Sequence, residues 1–148
     1  MYQAPWHCRI KSIYFILSSV SLGCGFIIYV LFRGSTILLW SVLEKPEFWD
    51  LYKIPMKEGG FFSALVNSGP SGMWLLSGIL LLRGLWFSEK KTQTVYILIF
   101  CLIAIFFEVG QHFGLILGTF DINDLLMMVS IALLEGVVYK FITRRRQT

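Results

Sequence analysis

Charged residues are few in this chain. Asp, Glu, Lys and Arg make up 15% of it and apolar residues 56%, whereas a soluble domain carries about 25% charge and about 45–50% apolar residues. That balance excludes an ordinary soluble domain and points to lipid. Cysteine is equally sparse, and Cys8, Cys24 and Cys101 are odd in number without C-x-x-C spacing. No disulfide framework or zinc site is implied, and the two thiols within apolar runs read as small hydrophobes. Also missing are a nucleophile motif, H-E-x-x-H and a phosphate-binding glycine loop. No internal repeat or low-complexity tract is present apart from the basic tail. The net charge of +4 raises nucleic acid as a partner, but the basic residues fall between apolar runs and form no stripe with aromatics, so no nucleic-acid partner is expected.

What the chain has instead is long apolar runs. With 148 residues it reads as one unit, residues 1–148. A helix needs about 20 residues to cross the roughly 30 Å hydrocarbon core. Four runs meet or approach that length, at about residues 12–32, 71–87, 94–117 and 125–142. The expected fold is therefore all-α, an integral membrane bundle of four transmembrane helices. The first run is too long for the apolar core of a cleaved signal peptide. Ser21-Leu22-Gly23-Cys24 resembles a lipoprotein processing box, but its Leu stands one place too late. Residues 34–60 mix Trp40, Trp49 and Tyr52 with acids and lysines, which predicts an interfacial loop segment between the first two spans.

Basic residues set the orientation, because cytoplasmic flanks carry their excess. With the N-terminus inside, eight lie on inner flanks: Arg9, Lys11, Lys90, Lys91, Lys140, Arg144, Arg145 and Arg146. Four lie outside, Arg33, Lys45, Lys53 and Lys57. Both termini are expected in the cytoplasm, with the tail as a stop-transfer anchor rather than a lipid-recognition element.

Ionisable groups inside a span cost about 2.5–3.5 kcal/mol at the helix centre, so each asks for a partner or a function. Glu108 lies 17 residues after Lys91, roughly 25 Å along the third helix and so in its outer part. Gln111 and His112 follow on the same face. The next turn brings Asp121 and Asp124 to the same end, where Asp121 or Asn123 can cap the fourth helix. Such a cluster can bind a cation or hold a protonated carboxyl as a general acid. Equally, Glu108 can be a neutral, hydrogen-bonded group and the aspartates caps. Arg83 is expected to snorkel toward the nearby interface, and Glu135, in the inner half of the fourth span, is its expected structural ion-pair partner.

The string E-V-G-Q-H-F-G-L-I-L-G-T-F-D-I-N-D, from Glu108 to Asp124, resembles the VanZ-like family of bacterial membrane proteins. That family is marked by E-x-x-Q and then F-D-x-x-D at the head of the last helix. Glu108, Gln111, Phe120, Asp121 and Asp124 match it in order and spacing. Tyr29-Val30-Leu31-Phe32-Arg33 is similar to the family's Y-x-L-F-R, and Ser68-Gly69-Pro70-Ser71-Gly72-Met73-Trp74 to its S-L-P-D-G-L-W. Ser71 replaces the acid of that motif, Gly118 stands where many members have Arg, and Met128 and Ile131 replace the common Asn and Gly. Arg33 then becomes the cation left to approach the outer acidic cluster.

The resemblance implies a bacterial cytoplasmic membrane protein with an envelope role, in a family whose namesake is associated with teicoplanin resistance. Two functions follow as expectations. In the first, the chain is not an enzyme and binds a lipid-linked or surface ligand, or a partner, at its outer face through Glu108, Gln111, His112, Asp121, Asp124 and Arg33. In the second, it is a small membrane enzyme acting on a lipid headgroup through the same carboxylates. The missing nucleophile and metal motifs favour the first, and no cofactor or resident metal is expected. Membrane lipid is a partner in either case.

Overall fold

The computed structural model describes residues 5–33, 60–116 and 120–144. Four α-helices make up the described structure: α1 (Pro5–Arg33), α2 (Phe61–Leu85), α3 (Lys90–His112) and α4 (Ile122–Arg144). The shortest has 23 residues, about 35 Å at 1.5 Å per residue. All four are long and apolar enough to cross a membrane. The stretch read as interfacial, apart from Gly60, the Arg33 side chain and the last four residues lie outside the described part.

The helix ends show where local chemistry overrides hydropathy. α1 starts at Pro5, whose fixed φ and missing N–H suit a first turn. α2 begins at Phe61 rather than near Ser71, and carries Pro70 inside it. Ser68-Gly69-Pro70-Ser71-Gly72 would end a helix in water, because Pro70 leaves a carbonyl one turn back without its donor. Here Pro70 is buried, and a Cβ on Gly72 would come within 2.7 Å of Met127 on α4. Packing against neighbouring helices is what lets Pro and Gly persist in membrane helices.

α3 ends at His112, five residues before the hydropathy limit. Gly114 takes φ +68°, Leu115 N–H donates to the Gly110 carbonyl at 2.9 Å, and Gly114 N–H donates to the Gln111 carbonyl at 3.1 Å. That pair of bonds is the Schellman stop, in which a left-handed residue after the helix lets later N–H groups satisfy its last carbonyls. A Cβ at Gly110 would lie 2.8 Å from Ile116 Cδ1, so that side chain would have to shift to admit one. α4 starts on Asp121. Its carbonyl accepts from Asp124 and Leu125 N–H, and its side chain accepts from Asn123 N–H at 2.9 Å, which is N-cap geometry.

α2 is the centre of the bundle and packs against each of the other three. Its largest interface is with the antiparallel α1, through small residues. Ser18 Oγ donates to the Ser77 carbonyl at 2.9 Å, and Ser21 Oγ to the Met73 carbonyl at 2.8 Å. Gly25 sits under Trp74, and Gly84 under Tyr14 and Phe15. Between apolar helices in lipid, association depends on such close backbone approach and interhelical hydrogen bonds. On its other side α2 contributes Leu75 and Ile79 to a core with Met128 of α4, enclosed by Phe100, Cys101 and Ala104 of α3.

The up-and-down order gives the bundle two chemically distinct ends. The basic end gathers the start of α1, with Arg9 and Lys11, the α2–α3 turn, with Lys90 and Lys91, and the end of α4, with Lys140. The acidic end gathers the start of α2, the end of α3 with Glu108, and the start of α4 with Asp121 and Asp124.

Candidate functional site

At the basic end one buried cation organises three helices. Arg83, 6% exposed, donates from Nε to Glu135 Oε1 and from Nη2 to Glu135 Oε2, both at 2.9 Å. This two-pronged pairing is the geometry in which guanidinium and carboxylate match best. Its Nη1 donates to Gln93 Oε1 at 2.9 Å, and its Cζ lies 3.4 Å from the centre of the Tyr139 ring. Arg83 therefore does not snorkel toward the interface. Its guanidinium turns inward because a carboxylate, an amide oxygen and an aromatic face together replace the water it would otherwise reach.

Gln93 completes this assembly, and nothing in the sequence marks it out. It is 1% exposed, and its Nε2 donates to the Arg83 carbonyl at 3.0 Å and the Trp86 carbonyl at 3.4 Å. One amide thus satisfies carbonyls at the end of α2 while its oxygen accepts from the cation. Every polar group there has a role in joining helices, and the arrangement reads as a structural clamp.

The acidic end is built differently. Glu108 is 8% exposed and Asp124 5% exposed, although both lie near helix ends. Glu108 Oε1 accepts the Asp121 N–H at 3.1 Å, so the carboxylate on α3 holds the backbone that leads into α4. Asp121 Oδ1 also accepts from Asn123 Nδ2 at 3.0 Å. Gln111 is half-buried, while His112 is exposed and packs its ring on Phe120 and Phe113, with centroids 4.8 and 5.2 Å apart. Glu108, Asp121 and Asp124 are thus gathered at one end with Gln111 beside them, while His112 faces outward at their edge.

Ser68 is a further polar residue at this end, noted in the sequence only as part of a motif. It is 1% exposed, and its Oγ has no hydrogen-bond partner among the described residues. α2 and α4 run parallel, and Gly72 lies against Met127 and Ile131. Ser68, one turn before Gly72, therefore stands level with Asp124, three residues before Met127. A buried hydroxyl without a bond is uncommon enough to call for an explanation. Among the described residues no group of three or more His, Cys, Asp or Glu side chains is placed to hold a metal ion.

Comparison with protein-family models, with curated proteins and with solved structures gives no match.

Proposed function

We propose that this chain is a multi-pass protein of the bacterial cytoplasmic membrane, with both termini inside, that binds a lipid-linked or surface ligand of the cell envelope at its acidic, outward end without catalysing a reaction. The observation that carries this reading is the placement of three buried polar residues, Ser68, Glu108 and Asp124, on three different helices at one end of the bundle. Buried carboxylates and a hydroxyl are costly where an apolar contact would suffice. Offered to a ligand, they supply acceptors and a hydroxyl that can donate, a set suited to the hydroxyl and amide groups of a sugar or peptide headgroup. The resemblance to the VanZ-like family, at Glu108, Gln111, Asp121 and Asp124, supports the same residues and an envelope role that includes teicoplanin-type resistance.

Glu108→Gln and Asp124→Asn keep size and remove charge, and Glu108→Gln retains an oxygen to accept the Asp121 N–H. Both variants are expected to insert at the parent's level and to lose the parent's envelope phenotype, read as the shift in teicoplanin susceptibility on expression. Retention of that shift by both variants would make the cluster a set of caps.

The orientation has its own test, which follows from the eight-to-four division of basic residues. A cysteine placed at Lys53 should react with an impermeant maleimide from outside intact cells, and one at Arg145 only after permeabilisation. The reverse pattern would turn the bundle over and place the acidic end in the cytoplasm.

A further inference from the structure

A groove runs along the basic half of the bundle, on the face of α2 left open between α1 and α4. It encloses about 440 Å³ and extends on α1 from Tyr14 to Cys24 and on α4 from Ile131 to Ile142, with Met73 and Leu80 of α2 as its floor. The walls face outward: Val20 is 56% and Leu134 61% exposed. Ser21 and Glu135, two polar residues of its lining, are engaged internally. Ser21 donates to the Met73 carbonyl, and both Glu135 oxygens accept from Arg83. What the groove presents is hydrocarbon.

Its length and its charged mouth select an occupant. The ten residue steps from Tyr14 to Cys24 span about 15 Å, half of the roughly 30 Å hydrocarbon core and so the depth of one leaflet. Lys11, one turn before Tyr14 and on the same face of α1, stands just beyond the groove's end on that helix. The opposite wall runs down α4 as far as Ile142, toward the same end of the bundle. The carboxylate in the lining, Glu135, is neutralised by Arg83, leaving Lys11 to set the potential at the mouth.

We propose that this groove is a lipid site that holds one acyl chain of an anionic phospholipid from the leaflet at the basic end, its phosphate at Lys11. The proposal rests on the bundle lying in a bilayer and is independent of any ligand at the acidic end.

The test uses the full chain purified in detergent and titrated with phosphatidylglycerol or phosphatidylcholine of matched chains, with bound lipid counted by native mass spectrometry. One phosphatidylglycerol is expected to be retained in preference to phosphatidylcholine. Lys11→Gln should reduce that preference about fivefold, the equivalent of ~1 kcal/mol for one basic residue near a charged surface. Val20→Trp and Leu134→Trp, which fill the groove from opposite walls at exposed positions, should each weaken retention of either lipid about tenfold, or ~1.4 kcal/mol. Equal retention of the two lipids by the parent, or unchanged retention in both tryptophan variants, overturns the proposal. So does a dimer in the parent that both tryptophan variants convert to monomer, since a second copy would then fill the groove. Alkaline carbonate extraction of the parent separates the two levels. Release from membranes would overturn the bilayer reading and this proposal together, whereas retention in membranes without lipid selectivity overturns this proposal alone.

Discussion

Replacing Glu135 by alanine should destabilise the bundle by about 3–5 kcal/mol, the range for removing one partner of a buried ion pair. The loss is large because the carboxylate takes two of the three hydrogen bonds from the Arg83 guanidinium, each 2.9 Å long. Without it a nearly buried cation keeps the Gln93 oxygen and the Tyr139 face, and neither carries a compensating charge. Arg83→Met should lose a similar amount by stranding the carboxylate. The double variant Arg83→Met with Glu135→Leu should lose less than either single change, because an apolar pair of similar size leaves no charge in the bundle. Unfolding in mixed micelles by titration with dodecyl sulfate would measure all three. Additive losses would mean that the two side chains act independently.

Gly78→Leu is expected to lower stability by about 1–3 kcal/mol, the usual penalty for overpacking, despite leucine's better helix propensity. A Cβ at this position would collide with the Phe100 ring at Cζ. The ring cannot leave without consequence, since it packs against the Leu75, Ile79 and Met128 core. Phe100→Ala should itself cost about 3–5 kcal/mol by opening a cavity. Combined with Gly78→Leu it should cost less than the sum, because the new side chain grows into the vacated space. The same unfolding titration applies, and a Gly78→Leu protein as stable as the parent would show that α2 and α3 do not need this close approach.

The four helices were legible because apolar runs of spanning length leave few alternatives. Their ends were less so. Hydropathy registers only apolarity, so it carries α3 on to Leu117 past the left-handed Gly114, and it reads Pro70 and Gly72 as a boundary although Pro70 is buried within α2 and Gly72 packs against α4. A glycine signals both a helix stop and a close contact, and the three-dimensional neighbour decides which.

The polar sites divide in the same way. Arg83 and Glu135 could be matched from sequence because each is an ionisable residue within an apolar run at a comparable depth. Gln93 could not, because it stands at the polar margin of its span beside Lys90 and Lys91, where an amide is unremarkable. The link from Glu108 to Asp121 uses a backbone N–H, a donor that every residue but proline carries, so no residue type announces it. His112 follows Gln111 on the same helix, yet the stop at Gly114 leaves it exposed at the rim against Phe120.

The clamp around Arg83 also orders events during synthesis. Gln93 is made ten residues after Arg83, and Glu135 fifty-two residues after it. At about 5–20 residues per second, the ribosome needs roughly 3–10 s between the arginine and its counter-charge. During that interval α2 is the helix with a buried cation inside its apolar run and, among the four, the lowest mean hydropathy, 1.3 against 2.0 or more. Gln93 is the partner available early, because it lies just across the α2–α3 turn and binds both the guanidinium and the carbonyls that close α2. The helical hairpin can therefore enter the membrane with its charge already solvated by an amide, and wait there until α4 delivers the carboxylate that locks the bundle.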